Sequence, residues 1–168
     1  MDDNESRRGF TLLEIMIVIA ILGILAAIAV GNFGGMKEKY KVEAETKQFY
    51  ADLMDARGRA MQRNRMSFVR ISGTGYATYE DTNTPPDGNG VLDNTTDTMV
   101  ANVIALHTIT TDLPGDAFEF NRNGIASVST GNILFSSTAK PDYDCITIRP
   151  TRIKMGQYNA GTGMCDEK

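Results

Sequence analysis

Four groups of side chains in this 168-residue chain have types and spacings that suit chemistry. The first is a carboxylate in an apolar setting. Between Phe10 and Val30 only Thr11 and Glu14 carry polar side chains, and an ionised carboxylate in hydrocarbon costs on the order of 2.5 to 3.5 kcal/mol, so Glu14 needs a compensating cation. The second group is Cys145 and Cys165, which suit a disulfide closing a loop worth about 3 kcal/mol; with no His nearby they offer too few ligands for a metal. The third is the oxygen-rich stretch 81–97, where Asp87, Asn89 and Asp93 are candidate calcium ligands. Aligned on Asn89-Gly90, the EF-hand pattern puts Pro85 first and Thr96 twelfth and lacks its flanking helices, so an acidic surface loop is the favoured reading. The fourth is a basic patch of Arg149, Arg152 and Lys154, with Arg152 and Lys154 expected on one strand face. A net charge of −4 speaks against nucleic acid as a partner. His107 is the only histidine and no nucleophile motif accompanies it, so no catalytic centre is visible and no cofactor is expected beyond the calcium alternative.

The elements that must position these groups follow from periodicity. Residues 10–30 make a helix long enough for a hydrocarbon core of roughly 30 Å. Arg7 and Arg8 precede it and hold a short N-terminus in the cytoplasm, so the remainder faces outward, where cysteines oxidise. A secretory signal peptide has its small-residue cleavage site after the apolar run. Here Gly9 stands before it, and a cut there would keep the helix as an anchor. Gly31-Asn32-Phe33-Gly34-Gly35 weakens helix and predicts a flexible joint, with a kink or an unbroken helix as alternatives. Residues 36–64 return to helical spacing, with Tyr40, Phe49, Leu53, Ala56 and Ala60 as the apolar stripe; Arg57, Arg59, Arg63 and Arg65 read as a solvated face. Strand patterns follow at 66–72 and 76–80, joined by Gly73-Thr74-Gly75, then at 100–111, 118–120, 125–128, 133–136, 145–148 and 153–155, with Asn123-Gly124 as a turn. The fold class is α+β: a long N-terminal helix, half membrane-spanning and half amphipathic, packed on an antiparallel β-sheet domain. The divisions are 1–9, 10–30, 31–64 and 65–168.

Arg8-Gly9-Phe10-Thr11-Leu12-Leu13-Glu14 resembles the class III leader and cleavage site of type IV pilins and type II secretion pseudopilins. The stretch 53–64 (LMDARGRAMQRN), together with 118–124 (FEFNRNG), 131–135 (GNILF) and 151–154 (TRIK), resembles the H-type minor pseudopilins and FimT-like minor pilins. The resemblance implies cleavage after Gly9, methylation of the Phe10 amine and assembly of a structural, non-enzymatic subunit into a filament through Phe10 and Glu14. Implied partners are other pilin or pseudopilin subunits, a prepilin peptidase, an inner-membrane assembly platform and, before assembly, membrane lipid; the implied location is the bacterial inner membrane with the N-terminus cytoplasmic, then a periplasmic or extracellular filament. Many pilins carry a proline where this chain has Gly31. Some FimT-like minor pilins use a basic C-terminal strand to take up DNA, which makes Arg149, Arg152 and Lys154 the residues of the alternative reading. A membrane-anchored receptor left uncut at Gly9 is a third class, and secretion pseudopilus and type IV pilus stay equally open.

Overall fold

Helix α1 (Leu12–Arg63) is followed by strands β1 (Ser67–Ser72), β2 (Gly75–Glu80), β3 (Thr98–Ile104), β4 (Ile109–Thr111), β5 (Ala117–Phe120), β6 (Gly131–Phe135), β7 (Cys145–Ile148), β8 (Ile153–Asn159) and β9 (Met164–Glu167). This is a computed structural model; it describes residues 10–83 and 88–168, with the side chains of 28–33 outside the description. The class is α+β. The strands form two antiparallel sheets, ordered β3-β2-β1-β5 and β4-β6-β7-β8-β9. The chain divides into two compact units between Lys37 and Glu38.

The helix runs through Gly31 to Gly35, where the glycines predict a joint. Glycine costs about 1 kcal/mol per helical position relative to alanine but keeps its N–H, so unlike proline it weakens the hydrogen-bond ladder without interrupting it. In the second unit Val42, Thr46, Phe49, Leu53, Ala56 and Ala60 are buried, a rhythm of four and three residues that lays them along one helix face. Tyr40, expected in this stripe, is 65% exposed. It stands nine residues before Phe49, or two and a half turns, and therefore on the opposite side. Thr46 satisfies its buried hydroxyl by donating to the Val42 carbonyl at 2.9 Å.

Phe49 joins the two sheets. Its ring centroid lies 4.2 Å from that of Tyr76 on β2 and 5.9 Å from that of Phe135 on β6. Around it Val69 and Phe120 from one sheet and Ile133, Ile146 and Ile148 from the other are almost wholly buried. Two sheets replace the single one expected, because the apolar run at 100–111 divides. Residues of β3 pair with β2 and those of β4 with β6, while Ala105 and Ile109 donate to the Thr74 and Gly73 carbonyls between them. The expected strand at 125–128 reduces to a bridge between Ala126 and Phe120, since the Ala126 N–H is taken by the Pro150 carbonyl at 2.9 Å.

The C-terminal segment forms an edge strand that composition did not announce. Cys145 on β7 faces Gly156 on β8, and β9 lies on the far side of β8 with Cys165 opposite Tyr158. The Cys145–Cys165 disulfide therefore crosses over β8. A side chain at Gly156 would put Cβ 2.2 Å from the Asp166 carbonyl oxygen and 2.9 Å from Cys165 Sγ, so this position has to be glycine. Gly156→Ala is expected to leave a fraction of molecules with titratable thiols and a lower Tm; full oxidation with an unchanged Tm would contradict the crossing. Phe49→Ala should cost about 3–5 kcal/mol in denaturant unfolding of the second unit, since it leaves a cavity facing both sheets.

Candidate functional site

Helix α1 starts one residue beyond Thr11, whose side-chain oxygen accepts the Glu14 N–H at 3.2 Å. That makes Thr11 the N-cap and Glu14 the third helical residue, the spacing of a capping box. A carboxylate in the first turn also faces the positive end of the helix dipole. Phe10 and Glu14 share a shallow hollow with Ile15, Val18 and Ile19. Phe10 is 81% exposed, and large apolar side chains from Leu12 to Leu25 are at least half exposed all around the helix. Such a surface requires an apolar covering. No helix among the described residues is long and apolar enough to cross a membrane; described side chains on the apolar half run from Leu12 to Ala27, about 24 Å at 1.5 Å per residue. Gly9 lies outside the described residues.

The oxygen-rich loop is built around two carboxylates that sequence reading passed over. Asp81, buried to 1% exposure, accepts the Asn89 and Gly90 N–H groups at 3.1 and 2.7 Å. Gly88 has φ of +82°, and a Cβ there would lie 2.0 Å from the Asp81 carboxyl carbon. Asp97 accepts the N–H of Thr82 at 3.1 Å and of Asp93 at 2.7 Å. The candidate calcium ligands are turned the same way: Asn89 Oδ1 accepts the Val91 N–H, and Asp93 Oδ1 accepts both the hydroxyl and the N–H of Thr95. Those bonds, the Thr95 hydroxyl first, hold the Asp93 carboxyl below its usual range. Asp87 lies outside the described residues. Among the described residues no three His, Cys, Asp or Glu side chains gather as a metal site.

The basic residues are similarly engaged. Arg149 and Arg152 reach the two oxygens of Glu167 at 3.0 and 2.7 Å. Arg152 directly precedes β8 and closes the β7–β8 hairpin with Arg149, its carbonyl accepting the Arg149 N–H at 2.8 Å and its own N–H reaching the Arg149 carbonyl at 3.3 Å. Pro150, which lacks the N–H that a ladder needs, lies in the turn between them. On the helix, Arg57 donates to the Thr151 carbonyl at 3.2 Å and Arg63 holds both oxygens of the buried Glu80 at 3.1 and 2.8 Å. Arg65 stands 3.8 Å from the same carboxylate. Arg57 and Arg63 thus tie the helix end to the sheets from a face that stays solvated, Arg63 being 55% exposed at its side chain.

His107 has partners that its isolation in the sequence concealed. Its Nε2 lies 2.7 Å from Glu38 Oε1 and its Nδ1 is hydrogen-bonded to Glu45, which also accepts the Leu106 N–H. Glu38 and Glu45 are seven residues apart on α1 and so face the same way; that interval was the available signal. Burial works against charge on the ring, but the two carboxylates together outweigh it and raise His107 above its usual value. The Tyr76 hydroxyl donates to Asp52 Oδ2 at 2.5 Å, and burial, reinforced by that carboxylate, keeps the phenol protonated far above its ordinary range.

Comparison with known proteins adds to this geometry. The family described as Prokaryotic N-terminal methylation motif matches residues 5–30, and that described as Type II transport protein GspH matches residues 45–151. The Type II secretion system core protein G of Klebsiella pneumoniae is 48% identical over 76 residues, 45% of this chain and 47% of that protein. The Type IV major pilin protein PilA of Myxococcus xanthus (strain DK1622) is 56% identical over 45 residues, 27% of this chain and 18% of that protein. The chain thus spans about half or less of the length of the curated relatives it matches. In three dimensions the fold is similar to the type IV minor pilin FimU of Pseudomonas aeruginosa, with a TM-score of 0.51 at 15% identity over 71% of this chain and 91% of that one. With the methylation motif at its start and the longer match running from the buried stripe of α1 to the β7–β8 turn, the chain belongs to the Type II transport protein GspH family.

Proposed function

We propose that the chain is a structural minor pilin or pseudopilin subunit, cleaved between Gly9 and Phe10, methylated on Phe10 and drawn from the membrane into a filament. The observation that carries this is the capped start of α1 two residues beyond the scissile bond, with its apolar side chains uncovered on every side. A helix in that condition is suited first to lipid and then to a bundle of its own kind. The N-terminus lies on the cytoplasmic side of the bacterial inner membrane before assembly and the second unit outside it, where the disulfide persists. The subunit's partners are a prepilin peptidase, an inner-membrane assembly platform and neighbouring pilin-type subunits, and it performs no catalysis itself. Secretion pseudopilus is the more specific reading, favoured by the relatives named for type II secretion. DNA capture is disfavoured, because Glu167 engages both Arg149 and Arg152 and offsets one of their two charges.

In the filament Glu14 of one subunit accepts the Phe10 amine of the next. Mass spectrometry of the native protein should therefore find N-methylated Phe10 at the amino terminus; retention of the first nine residues would overturn the proposal. Glu14→Leu should insert into membranes at least as well as the parent while its recovery in sheared filaments falls about tenfold or more, the equivalent of a lost buried pair worth at least ~1.4 kcal/mol. Undiminished recovery would remove Glu14 from the assembly step.

A further inference from the structure

The compact unit carrying the β-sheets begins at Glu38, and Glu38 is also the first carboxylate of the His107 clamp. From that coincidence we infer that the clamp is a pH-sensitive latch: while His107 is protonated the Glu38–Glu45 segment of α1 is held to the loop between β3 and β4, and when His107 is neutral that segment opens from the sheets.

The chemistry follows from donor count. An imidazolium donates from both nitrogens and can serve two carboxylates, whereas a neutral imidazole donates from one and turns a lone pair toward the other carboxylate. The ring is only 10% exposed at its side chain, so the rejected carboxylate is left facing a lone pair with limited relief from water. Charged and titratable groups near the clamp come from each element packed there. On α1 these are Glu38, Glu45 and Lys41, whose ammonium is 3.9 Å from Glu38; from β2 the neutral Tyr76 hydroxyl feels Glu45 and is itself bonded to Asp52. Lys41 partly compensates Glu38 when the ring loses its charge. Glu45 has no cation among the described ion pairs except His107.

Apolar attachment of the same segment is thin. Val42 is the buried hydrophobic residue between Glu38 and Glu45, and the continuous stripe of large side chains starts at Phe49. One further tether is the Asp142 N–H donated to Glu43 at 3.1 Å. The clamp is the attachment of this segment that contains the imidazole.

The sign is set by the direction of the His107 shift. A ring whose docked pKa is raised contributes its full stabilisation below the undocked value of about 6.5 and loses it as pH rises through the docked value. Because His107 is the only histidine, its titration can be followed alone. The experiment is amide hydrogen exchange on the full-length protein in detergent micelles between pH 5.5 and 9, corrected for the intrinsic pH dependence of exchange, alongside NMR titration of the imidazole. Corrected exchange at residues 38–45 should accelerate above pH 6.5 by up to about tenfold per pH unit until the docked pKa is passed, while residues 49–60 stay unchanged. In His107→Gln the 38–45 amides should exchange fast at every pH, and Glu38→Gln, which leaves Glu45 in place, should lower the ring pKa without unfolding the sheets. A flat corrected profile at 38–45 in the parent protein, an unaltered pH dependence in His107→Gln, or a histidine titrating at or below about 6.5 would each overturn the latch.

Discussion

The β-rich unit depends on one aromatic side chain placed between two sheets. Phe49 has Tyr76 on one side and Phe135 on the other, so the helix face that carries it is the third wall of a core that neither sheet closes alone. Burial of an aromatic ring of this size is worth several times an exposed ion pair, whose usual value is 0–1 kcal/mol. The polar links around it have a different task. Asp52 with Tyr76, Arg63 with Glu80, Arg57 with the Thr151 carbonyl and the two glutamates on His107 hold the helix in rotation and register around the wedge.

Helix α1 carries two kinds of surface. Before the glycines it is apolar around its circumference, and after them one narrow stripe is buried while lysines, glutamates and arginines occupy the rest. A cylinder without a polar face carries no directional mark except at its capped end. Thr11 and Glu14 stand there, within the first turn, where the dipole already favours negative charge.

The acidic loop shows how oxygen-rich composition can serve the backbone. Asp81, Asn89, Asp93 and Asp97 each accept at least one main-chain N–H, and these bonds do for a loop what ladder bonds do for a strand. Asp81 is the strongest instance, since it is buried and its two acceptor bonds shape the turn that Gly88 permits. Side chains oriented in this way have fewer lone pairs to offer a cation.

Much was decided locally, and those parts were legible in the residues. An apolar run of helical length, alternating strands, the α+β class and the cysteine pair all depend on interactions between near neighbours or on composition, which are printed in the order of residues. Other features needed the chain to close on itself. That Tyr40 faces outward while Val42 and Thr46 are buried, that residues 100–111 divide between two sheets, that a disulfide passes over Gly156, and that His107 lies between Glu38 and Glu45 are consequences of which surfaces met. Partners 62 and 69 positions apart along the chain leave no periodic trace in a sequence; the helix sets the spacing of its glutamates, and only packing against the sheets brings a histidine to them.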